Sequence, residues 1–481
     1  MANTVESQTI VRAVEAVQPT IARISAAVWE LAEVGLHEVE SANVHLRELV
    51  GAGFRIVSTG TAGVPTAFLA EWTQGEGEPR IGFLAEYDAL PGLGNAPVPR
   101  QEPRADGKSS GHGCGHNLIG AGLTGAAIAL KALMEAQGIP GTLRVYGCAA
   151  EETEGAKVYM AREGLFADLD ACLHWHPGPI AAVINVRMAA NDSLKIEFHG
   201  TKAHAGIEPW KGRSALHAME VAAHSVNLMR EHLEPTARLH YVFEAAGTAP
   251  NVVTDYTRIW MKVRDADRRR VNAATAWIRQ IAEAAALATQ TRAHVIHYYG
   301  VHDLLPNTPL AERMQQHLEH VGTPAWTEEE QAFARACQRE LGLPEHGLAR
   351  QVVPLQHEPT IGGSSDVAEA SWATPTMGIM MPSLPLHASL HTWAATACAG
   401  MSIGLQGAVA AAHVLTRMGL DLLSDAELRA AARADLARRK GNYTYQSPLL
   451  PEQRQPLNLP QWLNSDGSVE AVAGMEQLAP T

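Results

Sequence analysis

The sequence has few cysteines, no excess of positive charge and no long hydrophobic run, and each absence argues against a class of protein. Five scattered cysteines among 481 residues do not suit a disulfide framework, so we expect free thiols and a cytoplasmic location. The net charge of -13 argues against a nucleic-acid partner, which would require a basic face. No uncharged apolar run approaches ~20 residues, so no membrane span is expected.

The length and the N-terminus place further limits on the protein. A chain of 481 residues exceeds what one hydrophobic core normally organises, which predicts two domains. The first residues, Met1 to Glu6, carry neither a basic nor an apolar segment, so we expect no secretory signal. No internal repeat is visible, and the composition is typical of a globular protein.

Short apolar runs alternate with helical spacing in the first part of the chain. This alternation predicts an α/β fold with a central, mostly parallel sheet flanked by helices. The predicted helices cover residues 7–34, 41–51 and 118–137, and the predicted strands cover 55–58, 66–72, 81–85, 143–148 and 171–176. A stretch rich in proline and glycine, residues 91–113, predicts a long loop that is either functional or disordered.

The pattern changes near residue 190, where the predicted order becomes βαββαβ, the signature of a ferredoxin-like unit. We therefore expect an inserted domain at residues 190–303 and a discontinuous catalytic domain made of residues 1–189 and 304–481. The predicted elements of the insert are strands at 193–200, 238–245, 256–264 and 294–299 and helices at 214–232 and 269–287. After it we predict helices at 308–321, 327–341 and 394–416, a strand near 377–381 and an irregular tail over the last 40 residues.

Residues 111–117 (GHGCGHN) combine a thiol and imidazoles with glycines. Cysteine and neutral histidine hold zinc-like metals, and glycine lets the backbone turn so that Cys114 and His116 can converge. The alternative is a glycine-rich turn around a buried cysteine. Because ligands gather at the carboxyl ends of strands in open α/β sheets, other polar residues at such ends are candidates for the same site. These are Asp88, Glu151, Glu152 and His176, with His174 as a competitor, and in a later loop His391, with His387 as a competitor.

Adjacent carboxylates at Glu151 and Glu152 are costly in an apolar context unless a positive group holds them. One could bind a metal while the other removes the proton of a metal-activated water as general base. The alternative is an exposed acidic turn, which Glu154 nearby would extend.

Several segments together resemble the aminoacylase/carboxypeptidase family of dinuclear metallopeptidases, closest to the branch of amidohydrolases that includes aminobenzoyl-glutamate hydrolase B-subunits. The resemblance covers nearly the whole chain. It is carried by AEYDALP (85–91), GHGCGHN (111–117), Glu151-Glu152, GTKAHA (200–205), GRSA (212–215), PNVV (250–253) and LHTW (390–393).

The resemblance implies a role for each matching residue. Glu151 would be the general base, Asp88 a further catalytic residue, and His204 and Asn251 would steady the scissile carbonyl. His204 would reach into a partner subunit, which implies a homodimer through the inserted lid domain or a heterodimer with a homologous subunit. Glu86 and Cys114 stand where other members carry a histidine and a bridging aspartate. The implied ligands of one or two divalent ions, Mn or Zn, are Cys114, His116, Glu152, His176 and His391.

The resemblance implies a metal-dependent amidohydrolase that cleaves a small N-acyl or N-aroyl amino acid of the aminobenzoyl-glutamate type. Arg187, Arg213 and Arg264 are candidates to bind the free carboxylate of that substrate, because guanidinium and carboxylate pair through two hydrogen bonds. The alternatives are a small dipeptidase, an aryl-amine aminohydrolase or a non-catalytic binding protein. A serine hydrolase is a weaker alternative, because the motif GMSIG (400–404) lies in a helical pattern.

Overall fold

The computed structural model describes residues 6–456, and its main sheet has seven strands. The seven strands are β1 (Arg55–Thr59), β2 (Phe68–Gln74), β3 (Arg80–Glu86), β4 (Gly141–Cys148), β5 (Ala171–Gly178), β6 (Ala182–Val183) and, much later in the chain, β13 (Thr376–Pro382). A separate two-stranded ribbon consists of β7 (Arg187–Met188) and β12 (Thr360–Ile361). The spatial order is β1-β2-β4-β3-β5-β13-β6, and the ribbon pairs β7 with β12. The central strands of the seven-stranded sheet, β4, β3, β5 and β13, are parallel, which confirms the predicted α/β class.

Helices cover both faces of this sheet. They are α1 (Ser7–Leu31), α2 (Val39–Gly51), α3 (His116–Gln137), α4 (Ala156–Arg162), α7 (Thr308–Val321), α8 (Glu328–Glu340), α9 (Val367–Ala373), α10 (Trp393–Ala399), α11 (Ser402–Ser424) and α12 (Ala426–Lys440). Short 3-10 turns lie at Thr61–Gly63, Pro209–Lys211 and Arg230–His232. Helix α3 is long and apolar enough to cross a membrane, but 83% of its apolar window is buried inside the protein. It packs closely on α1, since a Cβ at Gly125 would lie 2.3 Å from Ile21.

A second sheet of four antiparallel strands lies between residues 190 and 301. Its strands are β8 (Ala190–His199), β9 (Arg238–Ala245), β10 (Tyr256–Asp265) and β11 (Arg292–Val301), in the order β11-β8-β10-β9. Helices α5 (Ala215–Met229) and α6 (Arg268–Thr289) pack on one face and enclose a core of their own. The domain boundaries at 190 and 303 stay a prediction.

Some elements differ from the sequence prediction. The helix predicted at 394–416 is two helices, α10 and α11, with a bend of 68° between them. The bend falls at Gly400, where a Cβ would lie 2.5 Å from the Trp29 ring, so α10 ends against α1. Helices α4, α9 and α12 were not predicted; residues 442–456 contain no helix or strand. The predictions on the first five residues and on the tail from 457 lie outside the described residues.

Candidate metal centre

The parallel strands deliver polar residues to one edge of the sheet. Glu86 ends β3, His176 lies near the end of β5, and the turn after β4 carries Glu151. Gly115 at the start of α3 has φ +74, and a Cβ there would lie 2.8 Å from Pro177, so only glycine lets the loop reach this edge. His391 N donates a hydrogen bond to the Gly113 carbonyl at 2.8 Å, which joins the loop before α10 to the same edge.

The five predicted metal ligands form one connected cluster. The donor atoms of Cys114, His116 and His176 lie within 4.8 Å of one another, and so do those of Cys114, Glu152 and His391. Cys114 Sγ is 3.4 Å from His176 Nε2, and His391 Nε2 is 3.0 Å from Glu152 Oε1. His391 has φ +59, a left-handed backbone that is uncommon for a non-glycine residue and occurs at functional sites.

Hydrogen bonds outside the cluster orient two of its rings. His116 Nδ1 lies 2.7 Å from Asp88 Oδ1, and its Nε2 is buried with no hydrogen-bond partner within residues 6–456. His176 Nδ1 donates to the Pro177 carbonyl at 2.7 Å, so Nε2 faces Cys114. Asp88 also accepts from the Glu152 backbone N–H at 3.0 Å. Such contacts fix the tautomer and direction of metal-binding histidines.

Glu151 lies beside the cluster and is held by a residue distant in sequence. Its Oε2 is 4.0 Å from His116 Nε2, and its Oε1 accepts a hydrogen bond from Ser365 Oγ at 3.0 Å. Burial, followed by the charges of Glu86 and Asp366, raises the pKa of Glu151 well above its usual range. Burial acts in the same direction on Glu152, but the hydrogen bond from His391 and the charge of His116 outweigh it and lower the pKa of that carboxyl. The adjacent glutamates therefore differ in acidity, which suits different roles.

A buried cation, Lys157, lies beneath Glu151. Its Nζ is 2.7 Å from Glu86 Oε1 and 2.5 Å from Asp366 Oδ1, and its side chain is fully buried. Lys157, Asp366 and Ser365 were not predicted as site residues from the sequence. A single lysine in the otherwise apolar start of α4, and the polar run Ser364 to Asp366 after two glycines, were the available signals.

The donor set fits a divalent cation. A thiol, imidazoles and carboxylates lie in overlapping groups whose donor atoms are within 4.8 Å of one another, and such donors bind divalent transition-metal ions. His116 Nε2 is buried and has no hydrogen-bond partner among the described residues, although Glu86 Oε2 lies 3.5 Å away, and a metal ion would satisfy such an atom. Burial raises the pKa of Cys114 above its usual range, so a bound cation would be needed to hold its thiolate.

The competing histidines are not part of the donor cluster, although His174 lines the cavity beside it. The His174 ring packs on Gly378, where a Cβ would lie 2.6 Å from it, and burial lowers its pKa to about 4. His387 Nε2 lies 3.2 Å from His346 Nδ1 on the surface. His112 Nε2 bonds to the Val28 carbonyl at 2.9 Å. The geometry therefore favours His176 and His391 within the cluster.

The residues predicted on the insert are placed differently. His204 and Asn251 are exposed, and no hydrogen bond or ion pair between residues 6 and 456 joins them to the cluster. Arg213 bonds to Gln290 and to nearby carbonyls. Arg264, in contrast, donates to Ser364 Oγ at 3.0 Å, next to the residue that holds Glu151.

Two further candidates do not reach the cluster. Arg187 is half-exposed and pairs with Glu358 at 2.8 Å. Ser402 begins α11 and follows helix α10 rather than a strand, so GMSIG (400–404) lacks the strand–turn–helix context of a serine nucleophile. The serine-hydrolase alternative therefore lacks its structural basis.

An apolar cavity of about 320 Å³ opens beside the cluster. It reaches Glu86 and His176, and its remaining wall is mostly apolar. The apolar wall includes Val183, Ile184, Met188, Leu304 and Met380. The α/β sheet, the cluster at its carboxyl edge and this cavity are the arrangement expected of a metal-dependent hydrolase.

Comparison with known proteins gives the family. The pattern of peptidase family M20/M25/M40 matches residues 82–394. The chain is 34% identical over 443 residues to the B-subunit of p-aminobenzoyl-glutamate hydrolase from Escherichia coli K12, covering 86% of this chain and 92% of that protein. Among solved structures, a putative aminohydrolase from methicillin-resistant Staphylococcus aureus matches with a TM-score of 0.64 and 16% identity, covering 87% of this chain and all of that one.

A dinuclear metal-binding peptidase of the M20 family from Bacillus subtilis matches with a TM-score of 0.56 and 19% identity, covering 85% of this chain and 99% of that one. The chain belongs to peptidase family M20/M25/M40. The resemblance indicated by the sequence motifs is thereby confirmed, and so is the prediction of a metal-dependent hydrolase that acts on amide bonds.

Proposed function

We propose that the protein hydrolyses the amide bond of a small N-acyl or N-aroyl amino acid, using one or two divalent ions, Mn or Zn. Cys114, His116, Glu152, His176 and His391 would hold these ions. The observation that carries the proposal is the convergence of these donors beside Glu151, at the mouth of an apolar cavity.

The chain's own groups suggest how the reaction would proceed. Divalent ions at this cluster would polarise the amide carbonyl and make water a better nucleophile near neutral pH. Glu151, held beside the cluster by its hydrogen bond from Ser365, is suited to take the proton of the attacking water and pass it to the leaving amine. Asp88 would keep His116 in the orientation that binds metal.

The two halves of the substrate would occupy different surroundings. The apolar cavity is large enough for an aromatic or branched acyl group and offers little to a charged one. Arg264 approaches the cluster from the second sheet and would bind a carboxylate of the amino acid. The relative from Escherichia coli is named for aminobenzoyl-glutamate, which combines such an aromatic acyl group with an acidic amino acid.

The second sheet and its helices would form a lid that also pairs with another protomer. Ten of the twelve large apolar side chains that are exposed within residues 6–456 lie between residues 207 and 287, including Trp210, Phe243 and Leu228. A cluster of this kind marks an interaction surface. In such a dimer the exposed His204 and Asn251 could reach the partner's cluster and donate to the carbonyl oxygen as it gains charge. A homologous chain is the other candidate partner, since the Escherichia coli relative is named as one component of a hydrolase.

The cellular setting of this proposal is the cytoplasm, where thiols stay reduced. It is supported by the five cysteines, all of which are free and buried.

A substrate panel tests the proposed function. Metal-loaded protein is expected to release the free amino acid from N-benzoyl or N-aminobenzoyl glutamate faster than from N-acetyl glutamate, because the acetyl group leaves the cavity largely unfilled. Chromatography of the products identifies the bond that is cleaved. Release of ammonia would indicate an aryl-amine aminohydrolase, and cleavage of unblocked dipeptides alone would indicate a dipeptidase. If the protein alone hydrolyses no member of the panel, the same panel is repeated with a homologous partner chain added.

A further inference from the structure

Strand β10 presents two cations on one face. Its residues alternate between the core and the opposite face: Ile259, Met261 and Val263 are buried in the core that α5 and α6 enclose. Because successive strand residues point to opposite sides, Lys262 and Arg264 share the face that those helices leave open. Both side chains are partly buried on that face.

This face of β10 approaches the candidate metal centre. Arg264 Nη1 donates to Ser364 Oγ at 3.0 Å and to the Gly362 carbonyl at 3.3 Å. The next residue, Ser365, donates to Glu151. Lys262 Nζ lies 5.7 Å from the centroid of the Tyr299 ring. That ring packs on Gly155, where a Cβ would lie 2.9 Å from it, close to the start of the helix that carries Lys157.

Lys262 has no anionic partner within residues 6–456. Between residues 6 and 456 no hydrogen bond or ion pair is formed by its ammonium group, whose one specific contact is with the ring of Tyr299. Burial and the charge of Arg264 lower the pKa of Lys262, whereas the charges of Glu151 and Glu152 act in the opposite direction. Lys195, on the same face of the sheet, pairs with Glu244 at 3.3 Å. A partly buried cation left unpaired beside a catalytic cluster costs stability unless a ligand brings the anion.

We propose that Lys262 binds the side-chain carboxylate of the substrate's amino acid and makes the enzyme selective for N-acylated dicarboxylic amino acids. This inference rests on the proposed amidohydrolase function. Among the described residues Arg264 forms hydrogen bonds through Nη1 alone, so Nε and Nη2 are left for the α-carboxylate. Two cations on one strand face, two residues apart, thus match a ligand with two carboxylates, one for each cation.

The test compares N-benzoyl glutamate with N-benzoyl glutamine, which differ only in that side-chain charge. The wild-type protein is expected to show a kcat/KM for the glutamate compound roughly 10- to 100-fold higher. In Lys262→Met the preference is expected to fall to near unity, chiefly through a higher KM for the glutamate compound. Lys262→Arg should retain part of the preference. Lys195→Met is the matched control, because that lysine already has a carboxylate partner, and it should behave as wild type.

Other outcomes contradict the proposal. Equal loss of kcat on both compounds in Lys262→Met would mean that Lys262 acts on the reacting carbonyl, and a wild-type protein without preference would overturn the selectivity. If wild type cleaves neither compound, alone or with a homologous partner chain added, the proposed function fails. Calorimetric binding of both compounds to metal-loaded protein, with and without Lys262→Met, then still decides the role of Lys262. If wild type binds the glutamate compound no better than the glutamine compound in that measurement, the proposed selectivity is also overturned.

Discussion

Replacing Glu151 with glutamine is expected to lower turnover by about 10²–10⁴-fold while metal content and fold stay as in wild type. Glutamine keeps the shape of the side chain and its contact with Ser365, but it cannot accept the proton of water. The change adds no buried charge. It removes one of three carboxylates that lie close together, and the other two are Glu86 and Asp366. The measurement is kcat on an N-aroyl amino acid, together with elemental analysis.

Glu163→Gln is the control for this variant. Glu163 is an exposed glutamate that follows α4 and pairs with Arg162 at 3.4 Å, so its loss should leave turnover unchanged. Wild-type turnover in Glu151→Gln would show that another group is the base. Loss of metal in that variant would instead make Glu151 a ligand, and the roles of the two glutamates would need to be exchanged.

Removing divalent ions with a chelator is expected to abolish hydrolysis, and adding manganese or zinc should restore it. The reason is that the clustered side chains can activate water only through a shared cation. Without a cation Cys114 would be a neutral thiol, and His116 Nε2 would have no hydrogen-bond partner among the described residues. The assay measures amide hydrolysis before dialysis, after dialysis and after reconstitution with each metal.

Ser402→Ala provides the comparison for the chelation experiment. Ser402 lies at the start of α11, away from any strand–turn–helix context, so its loss should not reduce activity. Full activity in thoroughly chelated protein, combined with inactivity of Ser402→Ala, would contradict the metal-dependent account and restore the serine-hydrolase alternative.

Much of the architecture follows from local patterns. The buried run at 81–85 and the apolar periodicity of 7–34 sufficed to predict β3 and α1, because both elements bury a regular set of side chains. The convergence at the sheet edge followed from the rule that parallel strands end together. The bend at Gly400 could not be predicted, since it depends on the distant Trp29.

The site was predictable where its residues lie at strand ends, and not where they depend on tertiary packing. His174 and His176 are two apart on one strand and share a face, so alternation alone could not separate them; only the approach of Cys114 does. Lys157 and Ser365 contact Glu86 and Glu151 across long sequence separations, and nothing local marks those pairs. Lys262 could not be identified from the sequence, because what distinguishes it is a charge left unpaired among the residues that the structure describes.

The most direct test is anomalous diffraction from crystals grown with manganese or zinc. We expect one or two metal peaks at this cluster, one bonded by Cys114 Sγ with donor atoms of His116 and His176, the other by Cys114 Sγ with donor atoms of Glu152 and His391. Glu151 is expected beside the metal without coordinating it. A metal peak elsewhere, or no peak at this cluster in crystals of active protein, would contradict this expectation.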